Sequence, residues 1–165
     1  MQQMLLIYSY IYYTIIGICL LLSLTVYFRK PAPFYLKLIP PFLIITIIQN
    51  IWAYLLDVRT GNNHSIANFY SVLFFSFYMY VLSHFTRHPR IRKLILHACW
   101  IFPSIAFANI FFGQGLHHFH TITYSLGAII AISFLGWHFL EFMDRDQPLI
   151  QTITDPSFWI CAGLL

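Results

Sequence analysis

Long apolar runs, each closed by a short polar or basic cluster, set the rhythm of the chain. The first extends from Met4 to Phe28 and stops at Arg29-Lys30. The second, Phe34 to Leu56, begins after the turn signal Pro31-Ala32-Pro33. A polar stretch from Asp57 to Ser65 leads into the third, Ile66 to Phe85. The basic segment Thr86 to Lys93 precedes the fourth, Leu94 to Phe112, which Gly113-Gln114-Gly115 breaks. After His117-His118-Phe119-His120 comes the fifth, Thr121 to Phe142. A sixth begins near Ser157 and reaches Leu165. A helix needs roughly 20 apolar residues to cross a hydrocarbon core of about 30 Å. Five runs meet that length, whereas Ser157 to Leu165 spans only about 13 Å as helix. The pattern predicts an all-α polytopic membrane bundle, one integral-membrane domain over residues 1–165. It has five full transmembrane helices and a truncated sixth, as in a fragment of a seven-span protein. The first run lacks the basic start, short apolar core and small-residue cleavage site of a signal peptide, so it reads as a retained span.

Composition agrees with this reading. The 165 residues are 59% hydrophobic and 8% charged, against about 25% charged in a soluble domain. No stretch is left for a fused kinase, nuclease or dinucleotide-binding domain, and no P-loop, GxGxxG, GxSxG or HExxH motif occurs. The net charge of +4 does not point to nucleic acid, because its carriers lie in short loops, where they set topology. Of nine Lys and Arg, only Arg59 lies in the even-numbered loops. Arg29, Lys30, Lys37, Arg87, Arg90, Arg92, Lys93 and Arg145 lie in or beside the odd ones. Cytoplasmic loops hold the positive excess, so the N-terminus is expected outside. Tyr8, Tyr10, Tyr12 and Tyr13 at the start of span one, with Trp52 and Tyr54 late in span two, suit an outer aromatic belt.

Polar residues within the spans mark candidate sites, since they are costly in lipid. Thr46, Gln49, Asn50, Ala53 and Asp57 share one face of span two at helical spacing. Tyr124, Gly127, Ala131, His138 and Glu141 share one of span five, and Ser76, Tyr80 and Ser83 one of span three. One reading is an outward-facing pocket floored by Pro103 and lined by Gln49, Asn50, Asp57, Asn109 and Tyr124. The plainer reading is a set of interhelical hydrogen bonds, worth about 0.6 kcal/mol each.

Eight histidines raise a metal question. HxxxH and HxxHH spacings occur in membrane di-iron desaturases and hydroxylases. Here His84 and His88 map to the cytoplasmic side and His117, His118 and His120 to the outer side, about 30 Å apart. A shared metal pair is excluded. The set that stays on one side is His84, His88, His97, His138 and Glu141, and imidazole with carboxylate suits iron or zinc. The plainer reading is interfacial histidines satisfied by water, lipid phosphate or Glu141. The outer trio is a polar turn, or else a metal or pH-sensing group, since histidine titrates near neutrality. Cys19, Cys99 and Cys161 are an odd number at reducing depth and form no disulfide frame. Asn63-His64-Ser65 matches a glycosylation sequon.

The stretch Phe102-Pro103-Ser104, Gly113-Gln114-Gly115, Phe119-His120-Thr121 and Tyr124-Ser125-Leu126-Gly127, followed by Asp155-Pro156-Ser157-Phe158-Trp159-Ile160, resembles small bacterial seven-span membrane modules. These are similar to the seven-helix sensor regions found on or beside histidine kinases. The resemblance implies a receptor-like input module with an outside N-terminus. It carries over no kinase activity and no ligand, because this sequence has no seventh span and no signalling domain. The expected function is a non-enzymatic sensor or signalling-input module of a bacterial inner membrane. Its expected partners are the lipid bilayer, a small-molecule ligand in the outer pocket, and a cytoplasmic signalling partner or histidine kinase at the basic loop. No cofactor and no nucleic acid are expected. The alternatives are a membrane-embedded His/Glu metalloenzyme acting on a lipid-like substrate, and a transporter fragment. Against the latter, there is no inverted repeat and no pair of Gly/Pro-broken helices.

Overall fold

A computed structural model describes residues 2–28 and 31–144 of the chain. They are helical throughout, with no strand among them. In order they form α1 (Gln2–Leu24), a 3-10 turn (Thr25–Phe28), α2 (Phe34–Lys37), α3 (Ile39–Thr60), α4 (His64–Phe85), α5 (Pro89–Ala108), a π turn (Asn109–Gly113) and α6 (Thr121–Met143). Five stretches are long and apolar enough to cross a membrane: Tyr10–Phe28, Phe34–Thr60, His64–Phe85, Pro89–Gly113 and Thr121–Met143. They match the five apolar runs and give a multi-pass membrane protein. The sixth run, Arg29, Lys30, Arg145 and Cys161 lie outside the described residues. The chain, expected as one domain, clusters into two compact units, Met1–Ile66 and Ala67–Leu165.

In the first unit prolines set the helix boundaries. Pro40 and Pro41 have no N–H to give the carbonyls of Leu36 and Lys37, so α2 ends after one turn and α3 starts afresh with proline in its first turn. The Lys37 carbonyl is not left bare. The Tyr27 hydroxyl donates to it at 2.7 Å. α3 ends at Gly61, whose φ of +68° puts it in the left-handed region and lets its N–H donate to the Asp57 carbonyl at 2.8 Å. Ile16 of α1 and Phe42, Thr46 and Ala53 of α3 are buried. The Asn50 amide donates to Tyr12 Oη at 3.3 Å and to the Thr46 carbonyl at 2.8 Å.

Among the described residues, the second unit is a three-helix bundle. Val72, Phe75 and Met79 of α4 and Ile95, Phe102 and Ala106 of α5 form its core with Ile110. α6 joins at Gly127, where a Cβ would stand 2.6 Å from the Phe75 ring and 2.8 Å from that of Phe102. Those rings meet edge to face with centroids 5.8 Å apart, a favoured aromatic geometry. α5 begins earlier than its apolar run, at Pro89 rather than Leu94. Proline is suited to a first helical position, so Arg90, Arg92 and Lys93 form the first turn of a helix, and the connection is only Thr86-Arg87-His88. Glu141 pins that end of the bundle. Its Oε2 accepts from the Arg87 N–H at 3.1 Å and its Oε1 from Trp137 Nε1 at 2.8 Å.

The expectation of interhelical hydrogen bonds is corrected for most of the hydroxyls. Thr14, Ser23, Thr46, Ser76, Ser83, Ser104 and Ser133 each donate to a carbonyl three or four residues back on their own helix. A short hydroxyl side chain reaches that carbonyl without help from a neighbour, so its face does not report a partner helix.

Candidate functional site

One cluster of polar groups that bond between elements lies at one end of the second unit, opposite Glu141 and the basic turn. Their centre is His120. It is the middle residue of an inverse γ-turn, with φ −80° and ψ 68°, closed by Thr121 N–H donating to the Phe119 carbonyl at 2.9 Å. The turn ends the 114–120 loop and starts α6, leaving His120 with no exposed surface. Gly115, with φ +82°, supplies the left-handed residue the loop needs.

Both ring nitrogens of His120 are bonded. Ser71 Oγ lies 2.6 Å from Nε2 and Thr123 Oγ1 2.5 Å from Nδ1. Ser71 donates its proton to the Asn68 carbonyl at 2.8 Å, so it accepts from an Nε2–H. Nδ1 then takes the proton of Thr123, whose alternative acceptor, the His120 carbonyl, is 3.4 Å away. One neutral tautomer accounts for every proton. The shell extends outward from there. Asn109 Nδ2 donates to Thr123 Oγ1 at 3.0 Å and to Gln114 Oε1 at 2.9 Å, and Gln114 Nε2 donates to Thr121 Oγ1 at 3.2 Å. Asn68 clamps the loop backbone: its Nδ2 donates to the His118 carbonyl at 2.8 Å and its Oδ1 accepts from the His120 N–H at 3.1 Å. Burial pushes the His120 pKa below the ordinary histidine value of 6.5, because desolvation penalises the charged ring.

Gly113 belongs to the same arrangement. A Cβ there would stand 2.5 Å from Asn109 Oδ1, so the glycine is what lets the Asn109 amide fold back across the π turn. Gln114 N–H donates to the Asn109 carbonyl at 2.8 Å, the five-residue closure that defines such a turn.

Of the residues expected to line an outward pocket, Asn109 is in this shell. Tyr124 is beside it, its ring 5.4 Å from that of Phe119 and 5.2 Å from that of Phe75. Gln49 and Asn50 are half-buried on α3 and Asp57 is exposed; all three belong to the first unit. The residues expected to hold a metal are dispersed. His84 Nδ1 donates to the Tyr80 carbonyl at 3.0 Å and His97 Nδ1 to the Lys93 carbonyl at 2.8 Å. His88 is exposed at the start of α5. His138 is buried, with its ring edge-on to Phe142 at 4.7 Å and tilted on Phe85 at 5.9 Å. Glu141 serves Arg87 and Trp137. Among the described residues no three His, Cys, Asp or Glu are placed to hold an ion. The outer histidines separate too: His117 and His118 are exposed and only His120 is buried.

Sequence reasoning missed Asn68, Ser71, Gln114 and Thr123. Asn68 and Ser71 stand three apart, the spacing that puts two polar groups on one helix face, and that was the available signal. The chain matches no protein family, no curated protein and no solved structure in the comparisons made.

Proposed function

We propose that this protein is a non-enzymatic membrane sensor or signalling-input module. The observation that carries the reading is the buried hydrogen-bonded shell around His120, which ties one loop to α4, α6 and the end of α5. A shell of this kind has two discrete states, closed and released, and an input that favours one shifts the bundle between them. Interhelical polar bonds in membranes average about 0.6 kcal/mol, so several together give a gap of a few kcal/mol, the range in which a ligand can act. The eight-to-one charge distribution supports an outward-facing His120 end and an outside N-terminus, as in a bacterial inner membrane. The basic turn Arg87 to Lys93 then faces a cytoplasmic signalling partner such as a histidine kinase, held in place by Glu141.

The test perturbs one end and observes the other. Asn68→Ala removes both clamp bonds to the loop. Amide exchange in lipid nanodiscs is expected to rise in the 114–120 loop and also at Arg87, whose N–H is held by Glu141. Faster exchange in the loop with no change at Arg87 would reject the coupling that a sensor requires.

A further inference from the structure

We propose that His120 is a proton-operated latch: protonation of its buried ring releases the 114–120 loop from α4. The proposal rests on the sensor reading and names the proton as the input at that site.

Among the described residues of its unit, the ring has hydrogen-bond partners but no counter-ion. α4 presents Asn68 and Ser71 to it, α6 presents Thr123, and the π turn reaches it only through Asn109. The titratable groups near it in its own unit are His117 and His118 on its loop and Tyr124 on α6. None is acidic. No Asp or Glu occurs between Ala67 and Leu140, and Glu141 and Asp144 are at the far end of α6. Among the described residues of its unit a positive ring meets only neutral dipoles, and a buried charge without a partner is costly.

The hydroxyl shell resists the second proton as well. Neutral His120 accepts at Nδ1 from Thr123. Once Nδ1 carries a proton, Thr123 Oγ1 has to accept from it while still accepting from Asn109. Its own proton is then left with the His120 carbonyl at 3.4 Å, a distance at which a hydroxyl bond is weak. Ser71 is already an acceptor and gains nothing. The charged ring therefore keeps its two bonds but strands the Thr123 proton inside the shell, and it gains full hydration outside it.

Release is local. Asn68 of α4 holds the loop backbone by two hydrogen bonds, and Gly113 before the loop and Gly115 within it have a freedom that suits a hinge. Its neighbours His117 and His118 are exposed. The direction follows from linkage. The folded ring has a pKa below 6.5 and the released ring the ordinary value of about 6.5. The closed state is thus favoured in full above pH of about 6.5, and each unit of acidification below that raises the released-to-closed ratio by up to about tenfold, until the folded-state value is reached.

The experiment uses the full chain in nanodiscs, labelled with 15N-histidine. Imidazole NMR follows each ring from pH 7.5 to 5.0, and mass-detected amide exchange, corrected for intrinsic rates, follows the loop. The expected result is a neutral Nε2–H tautomer for His120 at pH 7.5, a ring that titrates below the ordinary histidine value of 6.5, and faster loop exchange with the same midpoint. In His120→Gln, which cannot titrate, loop exchange is expected to be flat with pH, while His117→Gln and His118→Gln keep the response. A ring that titrates without any change in loop exchange, or a pH response that survives in His120→Gln, overturns the latch. If His120→Gln does not fold, the wild-type ring and loop midpoints decide alone. The outcome is separable from the sensor reading. Coupling in Asn68→Ala with a silent ring rejects only the latch, and a pH-driven loop with no response at Arg87 rejects only the sensor.

Discussion

Gly127 is the residue on which three helices close, and a single carbon atom tests it. A Cβ there would stand 2.6 Å from Phe75 and 2.8 Å from Phe102, both buried rings that cannot move without displacing each other. Overpacking a core costs about 1–3 kcal/mol. Gly127→Ala is expected to destabilise the second unit by that amount, read as a lower denaturant midpoint in detergent. Gly136→Ala is the control. Nothing lies within 4 Å of its would-be Cβ, so this substitution within the same helix is expected to be neutral or stabilising by up to about 1 kcal/mol. Part of this scale was legible in the sequence. Of the face expected from Tyr124, Gly127, Ala131, His138 and Glu141, Gly127 and His138 are buried and Ala131 and Glu141 half-buried, whereas Tyr124 is exposed; helical spacing fixes which residues point together, but not how far along the helix the packing reaches. What spacing does not fix is whether a polar residue on a face bonds across or back. Ser76 and Ser83 looked like Asn68 and Ser71 in that respect, yet the first pair turns to its own helix and the second holds a loop.

At the scale of elements, the break between α2 and α3 is a proline effect with a tyrosine repair. Pro41 has no N–H for the Lys37 carbonyl, and the Tyr27 hydroxyl takes its place. Tyr27→Phe is expected to lower the stability of the first unit by about 1 kcal/mol, the usual worth of one such bond. Pro41 is exposed, so Pro41→Ala removes no buried contact and supplies an N–H to the same carbonyl. In that background Tyr27→Phe is expected to cost much less, and a double-mutant cycle measures the difference. Equal costs in both backgrounds would show that the hydroxyl does not replace the missing donor. The apolar runs gave these elements their approximate limits, but not their ends. α5 starts at Pro89 because proline favours a first helical turn, even one filled with arginine and lysine. Hydropathy reads such cations as loop.

Across the whole molecule, α4 sets the distance between the two polar ends. Its 22 residues span about 33 Å at 1.5 Å per residue, enough to separate the His120 shell from the Glu141–Arg87 contact by a hydrocarbon core. The helix is long enough to carry its two flanks to opposite membrane faces, and the charge distribution is the ground for proposing which is which. Asn62, two residues before α4, is expected outside, and Arg90, in the first turn of α5, inside. In a cysteine-free background, Asn62→Cys is expected to react with a membrane-impermeant thiol reagent in intact cells. Arg90→Cys is expected to react only after permeabilisation. The opposite pattern would turn the molecule over and place the His120 ring on the cytoplasmic side. A proton latch there would meet the steady pH of the cell interior instead of the variable pH outside it. Labelling of both positions from one side would go further, because α4 would then not cross the membrane, and the separation of input from output on which the sensor reading depends would be lost.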